Sequence, residues 1–173
     1  MSAIVWFSGI SALNLVDSVP YGVWEEYGCN HFDEYRSVDH LVSYDRQMVH
    51  NRQLKPNITY WTQPKWRSAG WRSHRWNKDK VHISDSGTLA VETALQHHDQ
   101  VYVIGADWGV TDVSLQDHHY AFRGWSPPKF IKQHEWLLDR GDKVTWVHLE
   151  RQPWMVSYLN HSDFLDLATS TRH

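Results

Sequence analysis

Cysteine is nearly absent from this chain, because Cys29 is the single one among 173 residues. One cysteine excludes a disulfide within the chain and a zinc site built from several thiolates, and it favours a reducing compartment. The spacing of the 13 histidines does not predict a metal site either. Adjacent pairs such as His97-His98 and His118-His119 diverge, whereas metal ligands must converge on one ion. We therefore predict no metal and no cofactor.

Long apolar runs are also lacking. The longest one falls far short of the roughly 20 residues that a membrane helix needs, and Met1-Ser2-Ala3 lacks the basic start of a signal peptide. These absences predict a cytoplasmic protein with no membrane partner. A length of 173 residues with 41% hydrophobic and 21% charged residues predicts a single globular domain over residues 1–173.

Neither sign of charge is in large excess, since the net charge is −3 and the pI is near 6.5. This balance argues against a whole-surface nucleic-acid binder but leaves room for a local basic patch. The chain has no glycine-lysine phosphate loop, no nucleophile elbow and no paired-glutamate motif. The corresponding classes of nucleotide hydrolase, esterase and glycosidase are therefore not indicated.

What the chain does contain is an alternation of apolar strands and amphipathic helices. The apolar run at residues 3–7 is followed by helical spacing, and a second helix is predicted from Thr88 to Leu95 with Ser86 as its N-cap. Further strands are predicted at 23–30, 38–44, 57–61, 81–83, 101–104 and 144–149, with a helix at 126–140. The alternation predicts an α/β, Rossmann-like fold: a mostly parallel sheet of about seven strands with helices on both faces.

Small and polar residues follow several of these strands. The turn from Ser8 to Ser11, which includes Gly9, ends the first strand, and Ser86-Gly87 opens a helix. Small side chains at a helix N-terminus let a phosphate approach the backbone N–H groups. Because ligands of such sheets bind at the carboxyl ends of the strands, both turns are predicted to face one ligand. Asp45 and Asp107 also follow strands, and each suits either a ligand contact or a structural turn.

Taken together, four segments resemble the bacterial sialyltransferases and their small relatives. They are Ser8-Gly9-Ile10-Ser11, Cys29-Asn30-His31-Phe32, Ser86-Gly87 and Ile104-Gly105-Ala106-Asp107-Trp108. That family has an Asn-Gly-Pro-Ser turn, a Cys-Asn pair, a Thr-Ser-Gly turn before a helix, and a Gly-x-Asp strand end. The resemblance rests on the order of short motifs at successive strand ends and spans most of the chain.

The resemblance implies a metal-independent glycosyltransferase that uses a nucleotide sugar as donor and a hydroxyl as acceptor. Ser8, Gly9 and Ser11 would lie by the donor phosphate or ribose, Asn30 by the sugar or phosphate, and Ser86 with Gly87 by the nucleotide. Small side chains, hydroxyls and amides can bind such oxygens without a metal. Asp45 is a further predicted substrate contact.

The catalytic residues predicted for this reaction are His119, Tyr120 and Asp107. The family has a tyrosine followed three residues later by a histidine that acts as general base, whereas here Tyr120 is followed at that spacing by Arg123. His119 is adjacent to Tyr120 and is the best candidate base, and Arg123 becomes a predicted substrate contact. The alternative is a non-catalytic protein that binds a nucleotide or a nucleic acid on the same fold.

A segment rich in tryptophan and arginine covers residues 61–80. Trp61, Trp66, Trp71 and Trp76 recur every five residues, and six Lys and Arg residues stand among them against Asp79 alone. A period of five fits neither a helix nor a strand, which predicts a loop or lid. Exposed indoles such as Trp71 and Trp76 would stack on bases or sugars while the cations bind phosphates, including those of a nucleic acid. The alternative is that these rings fill the edge of the core.

Overall fold

The computed structural model describes residues 1–73, 85–106, 135–136, 139–151 and 155–172. These residues form one sheet of eight strands, all parallel, in the order β5-β4-β3-β2-β1-β6-β7-β8. The strands are β1 (Ser2–Trp6), β2 (Glu25–Cys29), β3 (His40–Ser43), β4 (Thr59–Thr62), β5 (Trp71–Arg72), β6 (Gln100–Ile104), β7 (Val144–Val147) and β8 (Ser157–Leu159). The protein therefore has an α/β, Rossmann-like fold.

Three α-helices and four 3₁₀ helices that have both ends within the described residues accompany these strands. The α-helices are α1 (Arg46–Asn51), α2 (Ser86–Leu95) and α3 (His161–Thr171), and the 3₁₀ helices cover Ile10–Asn14, Phe32–Glu34, Pro64–Trp66 and Gly141–Lys143. Within the described part of the chain, no helix has both the length and the apolar character needed to cross a bilayer.

Both faces of the sheet are covered, as predicted. On one face, Leu89, Ala90 and Ala94 of α2 pack in a core with the side chains of Val5 and Val103. On the other face, Ala12 from the first 3₁₀ helix and Phe164 from α3 pack in a second core, which includes Ile4. Because neighbours along β1 alternate between these two cores, every residue from Ala3 to Phe7 is buried, which explains the continuous apolar run.

Most of the described tryptophans belong to these cores. The indole N–H of Trp6 donates to Glu26 Oε2 over 2.7 Å, and that of Trp61 donates to His40 Nδ1 over 3.0 Å. Buried indoles need such acceptors. The buried rings are Trp6, Trp61, Trp71, Trp136 and Trp146, while Trp24 and Trp66 are half-buried.

Three local features differ from the sequence-based predictions. The first connection is a 3₁₀ helix rather than an α-helix. Helix α2 is capped by Asp85, whose carboxylate accepts from Thr88 N over 2.9 Å, so Ser86 is the first helical residue instead of the cap. The short edge strands β5 and β8 were not predicted. The predicted strand 81–83 and nearly all of the predicted helix 126–140 lie outside the described residues.

The tryptophan- and arginine-rich segment is partly built into the sheet. Trp61 is a residue of β4 and Trp71 of β5, and Pro64–Trp66 is a 3₁₀ helix between them. Trp71 is 4% exposed and its ring centroid lies 5.2 Å from that of Tyr60. The expectation of an exposed indole at this position is therefore corrected. Residues 74–80 of the predicted lid lie outside the described part of the chain.

Candidate functional site

The strand order reverses at the centre of the sheet, between β1 and β6. From β1 the chain adds β2 to β5 on one side, and from β6 it adds β7 and β8 on the other. The loops that leave the carboxyl ends of two such strands run in opposite directions and leave a crevice, where ligands of open parallel sheets bind. Here those loops begin at Phe7 and at Gly105.

The two central loops are held against each other. The backbone N–H of Gly9 donates to the carbonyl of Gly105 over 2.9 Å. Gly105 has a φ of +79°, and a Cβ at this position would lie 2.7 Å from the carbonyl oxygen of Phe7 and 2.9 Å from Ala12 Cβ. A side chain would therefore push the loops apart, which explains the glycine. The floor of the crevice is backbone.

A polar cluster lies at the carboxyl ends of the neighbouring strands β2 and β3, and we call it the Asn30 cluster: Asn30, Ser43 and Ser86. Asn30 Oδ1 accepts from Ser43 Oγ over 3.0 Å and from Ser86 Oγ over 2.6 Å. Ser86 Oγ in turn accepts from the backbone N–H of Tyr44 over 2.9 Å. The cluster ties the ends of β2 and β3 to the start of α2.

Gly87 joins this cluster to the central crevice. A Cβ on Gly87 would lie 2.1 Å from Cε1 of Phe7, so the Phe7 ring packs directly on the helix backbone. Since Phe7 directly follows β1 and Gly87 lies in the first turn of α2, the small-residue turn after β1 and the start of α2 are neighbours. The structure thus brings together Ser8, Gly9, Ser86 and Gly87, which were predicted to face a common region.

Acidic side chains lie at the carboxyl edge of the sheet, near the start of α2. Asp85 caps α2 and also accepts from Thr88 Oγ1 over 2.5 Å, so a carboxylate already occupies the positive end of the helix. Burial raises the pKa of the Tyr44 phenol, and the charges of Asp45 and Asp85 raise it further. Burial and Asp85 likewise raise the pKa of the Cys29 thiol. A second anion at the start of α2 would therefore be repelled.

Cations lie to one side of the acidic centre. Arg52 Nη1 donates to the carbonyl of Asn30 over 3.2 Å, and its guanidinium also forms an ion pair with Asp33. Lys55 Nζ lies 2.7 Å from Asp33 Oδ2. The guanidinium thereby supports the Asn30 turn, where the backbone has a φ of +53°.

An open surface cavity of about 210 Å³ borders this cation cluster. Its volume is below the 300–1,000 Å³ usual for small-molecule sites, so it can hold part of a nucleotide sugar at most. It is lined by His31, Gln47, Met48, Asn51 and Arg52.

The remaining predicted residues are distributed as follows. Ser11 is buried at the start of the first 3₁₀ helix, and Asp45 is an exposed residue at the N-cap of α1. Trp71 lies in the core of the sheet edge, away from solvent. Asp107, His119, Tyr120, Arg123 and Trp76 lie outside the described residues.

Sequence reasoning missed Ser43 and Tyr44, which stand at the end of β3 and contact the cluster. The carboxyl-end rule, applied to every strand, would have included both of them. Among the described residues, no group of three or more His, Cys, Asp and Glu is arranged to hold a metal ion.

Comparison of the chain with protein-family models, with curated proteins and with solved structures finds no match. The function must therefore be inferred from the crevice and the Asn30 cluster themselves.

Proposed function

We propose that the protein binds a nucleotide or a nucleotide sugar at the carboxyl edge of its sheet and transfers the sugar to a hydroxyl acceptor without a metal. The observation that carries the proposal is the crevice between the loops after β1 and β6, with a backbone floor at Gly9 and Gly105. Such a floor admits a phosphate or ribose close to the main chain.

The charges favour a particular orientation of the donor. Because Asp85 occupies the N-terminus of α2, the donor phosphates are assigned to the turn with Ser8, Gly9 and Ser11. Gly9 has no side chain and that of Ser8 is small, so phosphate oxygens can approach the backbone of this turn. The acidic side chain of Asp45 suits the hydroxyls of a ribose or sugar, which donate hydrogen bonds to carboxylates.

Transfer also requires a base for the acceptor and a donor for the leaving phosphate. We assign the base to His119, further catalytic roles to Tyr120 and Asp107, and a substrate contact to Arg123. These roles follow from the resemblance to sialyltransferases and from the sequence order of the motifs.

Binding is tested by calorimetry with nucleoside monophosphates and diphosphates. Ser8→Trp should abolish binding by filling the crevice, whereas Asn14→Trp, an exposed position at the end of the 3₁₀ helix that follows, should leave affinity unchanged. Equal affinity in the wild type and both folded variants would exclude the crevice as the site.

Transfer is tested by mass spectrometry after incubation with a panel of nucleotide sugars. His119→Ala should remove sugar transfer or hydrolysis, while His50→Ala, an exposed histidine of α1, should not. Turnover unaffected by His119→Ala removes this residue from the mechanism.

The second candidate is binding of a nucleotide or nucleic acid without transfer. Asp85 at the start of α2 favours it, because a carboxylate there weakens the hold on a charged donor. This candidate is supported if calorimetry shows nucleotide binding and the panel of nucleotide sugars shows no turnover.

A further inference from the structure

A strong local excess of positive charge lies in one stretch of an otherwise acidic chain. Residues 46–73 contain six Lys and Arg and no Asp or Glu, while the whole chain has 17 basic and 20 acidic residues. Arg52 and Lys55 both form ion pairs with the single carboxylate of Asp33. Of the other four, Arg46, Lys65 and Arg67 stand close together in the fold.

Two of these cations contact one half-buried indole, and the third follows it in sequence. The Arg46 guanidinium lies 5.5 Å from the ring centroid of Trp66, and the Lys65 ammonium lies 4.6 Å from it. Arg67 follows Trp66 directly. We call Arg46, Lys65, Trp66 and Arg67 the Trp66 patch. Arg46 comes from α1, Lys65 and Trp66 come from the 3₁₀ helix Pro64–Trp66, and Arg67 is the C-cap of that helix, so tertiary structure brings the two parts together.

The cations of the patch are exposed, and within the described part of the chain none of them forms an ion pair with a carboxylate. The carboxylate nearest in sequence is that of Asp45, which precedes Arg46. One carboxylate balances one of the three cations at most, so the patch keeps a net positive charge. Contacts with the ring hold Arg46 and Lys65 in place, which reduces the conformational entropy lost when they bind an anion.

We propose that the Trp66 patch binds single-stranded nucleic acid through its phosphates. Several unneutralised cations beside an aromatic ring match the groove-and-stacking arrangement that follows a single strand. Helix α1 has six residues and the patch otherwise consists of a single 3₁₀ turn. It lacks the long helix or two-stranded ribbon that reads a duplex major groove.

The patch adjoins the carboxyl edge of the sheet. Gln63, which precedes it, donates from Nε2 to the carbonyl of Tyr44 over 2.9 Å, beside the Asn30 cluster. A bound strand would therefore pass close to the crevice. The proposal does not depend on the nucleotide site, because its residues are different from those assigned to that site.

The test is fluorescence anisotropy with a labelled single-stranded DNA of roughly 12 nucleotides, titrated at salt concentrations from about 50 to 200 mM. The double variant Arg46→Gln/Lys65→Gln should bind at least about tenfold more weakly at low salt. The slope of log K against log salt should become shallower by about 1.4, which corresponds to two phosphate contacts on a single strand.

The matched control is Lys143→Gln/Arg172→Gln, which removes the same charge from two exposed positions outside the patch. It should leave affinity and slope unchanged. Trp66→Leu should weaken binding while retaining most of the salt dependence.

The same titration is repeated with the double-stranded form of this DNA and with anionic lipid vesicles. Four results would overturn the proposal: no binding of the single strand by the wild type at low salt, equal losses in the two double variants, tighter binding of the double-stranded form, or binding to the vesicles in place of DNA. Calorimetry with mononucleotides on the same variants shows whether the crevice still binds a nucleotide, which distinguishes failure of this proposal from failure of the proposed nucleotide site. Loss of DNA binding with intact mononucleotide binding assigns the effect to the patch alone.

Discussion

Ser86 donates its hydroxyl hydrogen to Oδ1 of Asn30 over 2.6 Å, and this contact joins the first residue of α2 to the turn that ends β2. Both residues were predicted from sequence as ligand contacts. In the fold they also bind each other, and Ser43 donates to the same oxygen. The Asn30 cluster is therefore a structural element of the sheet edge beside the proposed site.

Asn30→Ala should destabilise the protein by about 1–3 kcal/mol, because two hydroxyls lose their acceptor and alanine is strained at the φ of +53°. Asn30→Gly should lose the same hydrogen bonds without that strain, so it should destabilise the protein less than Asn30→Ala does. Urea unfolding measures both, with Asn51→Ala on exposed α1 as the control. Equal losses for alanine and glycine would contradict the role of the backbone conformation.

Gly87→Ala should destabilise the fold by about 1–3 kcal/mol, since the new methyl group collides with the ring of Phe7. Phe7→Leu should be destabilising on its own, but the double variant should lose less than the sum of the two. A double-mutant cycle from thermal or urea unfolding measures the coupling. Strict additivity would show that the helix and the end of β1 are not in contact.

Glu26 and Arg36 form a buried ion pair, with Arg36 Nε donating to Glu26 Oε2 over 2.6 Å and Nη2 to Oε1 over 2.7 Å. Arg36 also donates to the carbonyl of Val16. Arg36→Met should cost about 3–5 kcal/mol of unfolding free energy, because it leaves the Glu26 charge buried and unpaired.

Glu34→Gln, which breaks the more exposed His31–Glu34 pair, should change the unfolding free energy by less than about 1 kcal/mol. Similar effects from the two variants would show that the buried pair has no special energetic role.

Glu25 bridges two imidazoles, with His40 Nε2 and His98 Nε2 each 2.7 Å from one of its oxygens. Partial burial raises the pKa of Glu25, but the hydrogen bonds and charges of His40 and His98 outweigh it and hold the pKa below its ordinary value. A carboxylate with a lowered folded-state pKa stabilises the protein above its unfolded pKa. That stability is lost as the pH falls through the folded pKa.

Glu25→Gln should therefore reduce stability at neutral pH and make the loss of stability below about pH 4.5 less steep. Urea unfolding across this range measures the slope, and the exposed Glu150→Gln is the control. An unchanged slope in the Glu25 variant would contradict the bridging role.

The parallel α/β arrangement was predictable because it depends on short-range patterns. The apolar run at residues 3–7 and the strand at 101–104 were both confirmed as central strands, and α2 was confirmed by its helical spacing. A parallel strand covered on both faces is apolar along its whole length, so a short continuous apolar run predicts a buried parallel strand. Strands β5 and β8 have two and three residues, too few to show any pattern.

The neighbours of each polar side chain depended on tertiary structure. The sequence marked Asn30 and Ser86 as polar residues in turns, yet they are 56 positions apart and their bond forms only because β2 and α2 meet at one edge. Likewise, the spacing of five did not indicate which tryptophan rings are buried. Trp71 lies in the second core because β5 pairs with β4, whereas Trp66 packs against that core and lies beside two cations. Sequence periodicity contains no information about that packing.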